Sequence, residues 1–386
     1  MLQSLFVYSS LLGVMILFSL VTQQRHSYSK TLSSEGENNS FWKIYIIFPL
    51  IVFSIIFGMR YDVGTDHLAY ISTYSEGIVA SKGEPIFDAI TYIFQGLGLH
   101  YVYYFTFLAF IQVFFFFYAF KNEKYLFPFL VFFLFTNFEW LFWMNGIRQA
   151  LALCIWLFAI RYIEEKRFWM YLLFCIISSS FHYSASVLIV FYPLLKNGRD
   201  YFKSINLQLL ILVSAFIIQQ FFTILLPKID VLIGLYKSIL GGGKAYTKSY
   251  GIEGLMKSYI DRGGTNLVYL AKILMNVIII AHSKKLKEFY NSKRFVIIYF
   301  FFFFGLITLY IFPIGYISIT RPFRYFYIFD TIIYAYFAYY LLKNRTPQNQ
   351  LLYLIFIVLF IGVFISAILV ATEDSNMLYQ FYFDQK

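Results

Sequence analysis

Charged residues are scarce in this chain of 386 residues: only 13% are Asp, Glu, Lys or Arg, against roughly 25% in soluble proteins, and 60% are hydrophobic. The apolar residues form long runs, which excludes an ordinary soluble domain and predicts a polytopic membrane protein. Cysteine is almost absent. Cys154 and Cys175 both lie inside apolar runs, where we expect small hydrophobic side chains rather than a disulfide. The first run lacks a basic leader, which predicts a retained helix rather than a cleaved signal.

The apolar runs number twelve, and several are shorter than the roughly 20 residues of a full membrane span. They predict an all-α fold of about 12 transmembrane helices, some of them half-helices, in a single integral domain covering residues 1–386. The runs are 2–21, 41–59, 101–120, 125–144, 147–163, 168–181, 183–195, 205–226, 267–281, 295–313, 323–342 and 351–370.

The formal net charge of +11 is dispersed over short loops, so it favours a membrane orientation signal over a nucleic-acid partner. Loops rich in Lys and Arg alternate along the chain, and the positive-inside rule places them in the cytoplasm. Both termini and two long loops are then predicted to lie outside.

The two long loops differ in charge. Residues 60–100 are mostly acidic, whereas residues 227–266 carry six Lys or Arg residues and several glycines. The second loop is interpreted either as a solvated loop or as a mobile basic lid over an anionic ligand, with Arg262 among its contacts.

Charged residues that border the apolar runs fall on the predicted outer face. Because the positive-inside bias pushes arginine to the opposite side, their position there predicts one outward-facing site. The residues are Arg60, Arg148, His182, Arg321 and Arg324.

Several of these residues carry alternative interpretations. Arg148 could reach lipid phosphates, although Asn145 and Gln149 beside it indicate a polar helix start. His182 interrupts two short apolar runs, which suits half-helices lining a cavity, or it is a packing histidine. Glu139, inside the fourth run, is a candidate base.

Asp62 and Asp66 follow the second run closely. Asp66 could cap a helix, and the two carboxylates could hold a cation, but without a third ligand the metal signal is weak, and we predict no metal and no cofactor. Arginines grouped with a histidine suit a ligand of concentrated negative charge, because guanidinium groups bind phosphate oxygens bidentately. A lipid-linked pyrophosphate fits that description.

Four motifs, in order, resemble the EpsG-like family of Wzy-type polysaccharide polymerases. They are RYDVGTD (60–66), NGIRQALA (145–152), FHYSA (181–185) and RPFRYF (321–326). The resemblance implies a GT-C-like glycosyltransferase of the bacterial inner membrane. Such an enzyme joins oligosaccharide units carried on undecaprenyl pyrophosphate at the extracytoplasmic face, making O-antigen of lipopolysaccharide, capsule or exopolysaccharide. A chain-length regulator is an expected partner, together with membrane lipids.

The resemblance also implies roles for individual residues. Arg148, Arg321 and Arg324 would hold the leaving pyrophosphate, and His182 would orient the acceptor sugar or the pyrophosphate. For a base, the order of preference is His182, Asp66, Glu139. The remaining predicted substrate contacts are Arg60, Asp62, Asn145, Gln149, Tyr325 and Arg262.

Other functions remain open at this point. An O-antigen ligase shares the lipid pyrophosphate chemistry and differs in its acceptor. A flippase of the lipid-linked oligosaccharide predicts charges through a central cavity, and a membrane acyltransferase predicts a histidine where an acyl carrier arrives. The confinement of the charges to one face favours the polymerase.

The predicted topology is tested with single cysteines in intact or outer-membrane-permeabilised cells. Cysteine at Ser75 or Ser249 should react with an impermeant thiol reagent, because both lie in long outer loops, whereas cysteine at Ser292 should not. Labelling at Ser292 alone would invert the orientation.

Overall fold

The computed structural model describes residues 1–32, 41–64, 66–77, 83–219, 221, 267–312, 320–371 and 377–384. The predicted basic loop 227–266, with Arg262, lies outside these residues. Within them the fold is α-helical apart from two short strands. The chain forms two compact units, the first from Met1–Tyr192 and Tyr334–Lys386 and the second from Pro193–Ile333.

The first unit contains most of the helices. In chain order its elements are α1 (Leu2–Leu32), α2 (Ile44–Gly58), β1 (Arg60–Tyr61), α3 (His67–Ser75), α4 (Pro85–Gly96), α5 (Tyr101–Ala119), α6 (Phe127–Thr136), α7 (Glu139–Asn145), α8 (Ile147–Glu164), α9 (Phe168–Phe181), α10 (Phe191–Leu195), α15 (Arg324–Lys343, shared with the second unit), α16 (Pro347–Val370) and β2 (Gln380–Phe381). 3₁₀ turns Lys124–Leu126, Tyr183–Val190 and Tyr382–Asp384 complete it.

The second unit is described in part. Its helices are α11 (Ile205–Gln219), α12 (Leu267–Ala281), α13 (Ser283–Tyr290) and α14 (Lys293–Ile311), followed by a 3₁₀ turn over Arg321–Phe323. Lys287 on α13 joins this unit together, since its ammonium donates to Asp200 at 2.9 and 3.0 Å and to the Phe202 carbonyl at 2.6 Å.

Four helices of the described ranges are long and apolar enough to cross a membrane: Leu2–Arg25, Tyr101–Ala119, Lys293–Ile311 and Pro347–Val370. A fifth span is counted if α6 with its preceding turn and α7, which meet at 64°, are one broken span. Shorter apolar helices such as α2 and α9 accompany them. The fold is thus an all-α membrane protein, as predicted, whereas the count of about 12 and the GT-C-like arrangement stay predictions, as does the single domain.

One apolar run that the sequence presents as continuous is broken in the structure. Run 125–144 divides into α6 and α7 because Phe138 adopts a left-handed conformation, with φ 62°. A non-glycine residue rarely adopts this conformation, so surrounding packing must enforce it. Trp140, two residues later, is fully buried against Tyr8, with ring centroids 4.4 Å apart. The break allows α7 to end at Asn145, directly before α8.

The core of the first unit is aromatic. Helix α5 packs between α2 and α8, and α8 packs against α9. Burial of large rings supplies most of the packing surface here, because each buried ring removes a large apolar area from contact with solvent. The largest fully buried side chains of this core include Trp140, Trp143, Trp156, Tyr8, Tyr171 and Arg60.

Arg60 is the unexpected member of that core, with 1% of its surface exposed. Its guanidinium donates to the carbonyl of Phe57 in the last turn of α2, to Val63 at 3.3 Å and to Met144 in α7 at 3.0 Å. The carbonyl ends of helices carry partial negative charge, so two helix ends hold one cation. Arg60 therefore fastens the end of α2 to the end of α7.

The carboxyl-terminal segment closes over the same region. Strand β2 pairs antiparallel with β1, placing Phe381 opposite Arg60. Tyr379 donates its amide to Ser4 Oγ at 2.8 Å and its hydroxyl to the Ile56 carbonyl at 2.7 Å. This segment thus joins the start of α1 to the end of α2.

Arg60→Ala is expected to destabilise the protein by about 2–4 kcal/mol, because three buried carbonyls lose a charged donor and a cavity forms. The measurement is thermal unfolding of the purified protein. Arg345→Ala is the matched control, since Arg345 is exposed at the other end of the same unit. Equal melting temperatures for the two variants would contradict a structural role for Arg60.

Candidate functional site

The candidate site is built around Glu84, which immediately precedes α4. Its carboxylate is 7% exposed and accepts two contacts: Arg148 Nη1 lies 2.8 Å from one oxygen, and His182 Nδ1 lies 2.6 Å from the other. Three distant parts of the chain therefore meet at one carboxylate. Charge-assisted hydrogen bonds of this kind are stronger than neutral ones and fix geometry.

Arg148 is the second residue of α8. A cation at a helix amino terminus is disfavoured by the helix dipole, and the Glu84 carboxylate offsets that cost. The Tyr70 hydroxyl of α3 is also hydrogen-bonded to the guanidinium, and the ring of Phe87 lies 5.8 Å from its central carbon. One third of the side chain stays exposed, which leaves it accessible to a ligand.

His182 lies where α9 ends. Its backbone is extended, with φ −154° and ψ 116°, so α9 stops there and a 3₁₀ turn follows. This is the interruption that the sequence predicts. Because Glu84 accepts from Nδ1, the proton sits on that nitrogen, and Nε2 keeps a lone pair that can accept another proton. A carboxylate that orients an imidazole in this way is typical of histidine bases.

The ionisation of Glu84 follows from its partners. Burial by itself raises the pKa of Glu84, but the hydrogen bond from His182 and the positive charge of Arg148 outweigh it, so its pKa lies below the ordinary value. The residue is therefore an anion at neutral pH. An anion orients and neutralises neighbouring groups; it does not donate a proton.

The loop before α3 is fastened to the site by Asn145. The amide nitrogen of Asp66 donates to Asn145 Oδ1 at 2.9 Å. Gly64 adopts φ +96°, and a Cβ there would lie 3.4 Å from the Cα of Asn145, so glycine suits both the backbone and the close approach. Asn145 is thus a structural anchor three residues before Arg148.

Other predicted residues have different surroundings. Asp66 occupies the cap position of α3 but makes no side-chain cap hydrogen bond, and its side chain is exposed. Asp62 sits in a turn with φ 51°. Glu139 begins α7 and Gln149 lies in α8, both buried. Arg60 faces the protein interior, so the predicted substrate contact does not fit a side chain that is 1% exposed.

The arginines of the last motif belong to the second unit. Arg321 lies in the 3₁₀ turn, Arg324 begins α15 with its guanidinium carbon 5.5 Å from the Tyr327 ring centre, and Tyr325 is fully buried. The burial of Tyr325 does not fit the predicted contact with a sugar. Whether Arg321 and Arg324 act together with Arg148 stays a prediction.

Two residues of the site were not singled out from the sequence, namely Glu84 and Tyr70. Glu84 appears there only as one of several acidic loop residues. One signal was present: an arginine and a histidine at a membrane face require a nearby anion. Among the described residues no three His, Cys, Asp or Glu side chains cluster as a metal site, and metal independence stays a prediction.

Fold and site together define an α-helical membrane protein with a polar centre held by one buried carboxylate. The family model of the EpsG family matches residues 43–381, and the chain therefore belongs to the EpsG family. This confirms the resemblance of the four motifs. Membership indicates a membrane protein of the polysaccharide polymerase kind. Comparison with curated proteins and with solved structures gives no match.

Glu84→Gln keeps the shape of the side chain and removes its charge. At neutral pH we expect a loss of about 1–3 kcal/mol, because two charge-assisted contacts weaken. The pKa of Glu84 is depressed in the folded protein, so its stabilisation is present above the ordinary glutamate pKa of about 4.3 and is lost as the pH falls through the lower folded value.

The measurement is the melting temperature of the wild-type protein and the variant across acidic and neutral pH. The difference should be largest near neutrality and vanish in acid. Glu165→Gln is the control, because Glu165 forms an exposed pair with Arg161 worth about 0–1 kcal/mol. A pH-independent difference for Glu84→Gln would show that its charge plays no part.

Proposed function

We propose that this protein is a membrane glycosyltransferase that polymerises oligosaccharide units carried on undecaprenyl pyrophosphate at the extracytoplasmic face of the bacterial inner membrane. The observation that supports the proposal best is the bridge from Glu84 to both Arg148 and His182. It places a cation for a phosphate leaving group beside an oriented imidazole. Membership of the EpsG family supports the same class of reaction.

The chemistry assigns one task to each group. The hydroxyl oxygen of the acceptor sugar forms a bond to the anomeric carbon of the donor chain, and the bond from that carbon to the pyrophosphate breaks. His182 Nε2 takes the hydroxyl proton while Glu84 keeps Nδ1 protonated. Arg148 stabilises the charge that develops on the departing pyrophosphate, aided by the amino terminus of α8.

Balance of charge favours further cations in the active complex. Arg148 and Glu84 neutralise each other, whereas a pyrophosphate carries several negative charges. Arg321 and Arg324, carried over from the family motif, are proposed to supply the additional positive charge. Asp66 and Glu139 remain weaker candidates for the base, because neither is shown within the Glu84 bridge.

Two other functions use the same lipid and are separated by what accumulates without the protein. Loss of a polymerase leaves single exported units attached to their acceptor. Loss of a ligase leaves long polymer on undecaprenyl pyrophosphate, and loss of a flippase traps single units inside the cell. The polymerase is favoured because its leaving group and its base correspond to Arg148 and His182.

Purified protein given only lipid-linked repeat units should produce a ladder on the lipid without nucleotide sugar, since the pyrophosphate donor already carries the energy for transfer. Arg148→Ala should lower the rate of extension by about 10²-fold or more, because a donor acting in the transition state is lost. Arg148→Lys should rescue poorly, since a point charge does not reproduce a bidentate fork.

Two companion variants separate the roles. His182→Ala should be severe, and Glu84→Gln should lower kcat more than it raises KM, because it disorients the base. Arg345→Ala serves as the matched control and should extend normally. A normal ladder from Arg148→Ala, or a requirement for nucleotide sugar, would refute the proposal.

A further inference from the structure

Helix α4, which begins directly after Glu84, turns polar groups inward. The Thr91 hydroxyl lies 2.8 Å from the Tyr104 hydroxyl, and Gln95 donates to the Tyr74 carbonyl at 2.9 Å. With Glu84 these side chains follow one another along a single stripe of the helix. The stripe contacts α3 and α5 and is satisfied by protein partners.

The opposite stripe of α4 is apolar and exposed. Tyr92, Ile93 and Leu97 are 63%, 58% and 67% exposed, and Ala89, one turn earlier on the same side, is exposed as well. Spacings of three, four and eight residues put these side chains on one face of a helix. A helix at a protein surface in water has the reverse arrangement, with polar residues outward.

The exposed stripe continues onto a membrane-spanning helix. The ring of Phe94 on α4 lies 5.3 Å from that of Phe107 on α5, and α5 exposes Phe107 and Tyr103 by 40% and 61% on its outer surface. The apolar surface of α4 is thus part of the surface that a membrane span presents to lipid. With 12 residues, α4 is about 18 Å long, too short to cross a hydrocarbon core of about 30 Å.

We propose that α4 is seated in the membrane leaflet nearest the site, with Tyr92, Ile93 and Leu97 against the acyl chains. The inward polar stripe then keeps its hydrogen bonds away from lipid, and the apolar stripe is stabilised by hydrocarbon. Since Glu84 precedes α4, the site opens at the membrane surface. Resting on the proposed function, the polyprenyl tail of the substrate approaches along this stripe while its pyrophosphate reaches Arg148.

The test uses nitroxide labels on single cysteines at Ile93 and Leu97 of the full-length protein in phospholipid vesicles without substrate. Collision with oxygen, which concentrates in lipid, is compared by electron paramagnetic resonance with collision with a water-soluble nickel chelate on both sides of the membrane. Native Cys154 and Cys175 are fully buried, so unsubstituted protein gives the labelling background.

Two control positions calibrate the scale. Val358, 57% exposed on the span Pro347–Val370, reports lipid, and Ser75, exposed after α3, reports water. Labels at Ile93 and Leu97 should match Val358, with oxygen collisions severalfold more frequent than nickel collisions. Thermal unfolding of each labelled variant verifies the fold.

Accessibility like that of Ser75 at both positions would overturn the proposal, because the stripe would face water. Protection from both reagents would overturn it as well and indicate a protein partner, with spin–spin broadening identifying a second copy of the chain. The measurement needs no substrate or turnover. Its failure is therefore distinguishable from failure of the polymerase activity.

Discussion

A buried guanidinium, that of Arg60, is the constraint on which the first unit depends. Arginine stays protonated inside a protein, so its charge and its donors have to be satisfied wherever it is buried. Here backbone carbonyls near the ends of α2 and α7 satisfy it, together with the Val63 carbonyl. These helices must meet at one point, and that point lies just before Asn145 and Arg148. A structural charge thus fixes the place of a functional one.

Glu84 carries the same logic into the site. A single carboxylate orients a guanidinium and an imidazole that are separated from it by 64 and 98 positions along the chain. Because it is held ionised, it compensates a cation placed unfavourably at the start of α8 and selects one tautomer of His182. One residue therefore prepares both ends of a group transfer: the stabilised leaving group and the base.

The sequence reveals the cations more readily than the anion that joins them. Arg148 and His182 interrupt apolar runs, so cost in a membrane marks them out. Glu84 lies in an acidic loop, where nothing local distinguishes it, and its partners are defined only by the packing of α4 and α9. Arg60 shows the opposite error: its position at the end of a run indicates function, but burial among carbonyls is a tertiary property. Likewise the break at Phe138 leaves no polar signal in the run 125–144.

The loop 60–100 shows why charge counts misread a membrane surface. Its carboxylates favour an aqueous loop, yet Glu84 is buried beneath α4, and the residues that α4 exposes are apolar. A charge count records how many polar groups a segment has and not which way they face. Where the surroundings are hydrocarbon, the inward face is the polar one, so an acidic segment can still rest in lipid. A site between the inward face of such a helix and the membrane surface suits a substrate with a lipid tail and a charged head.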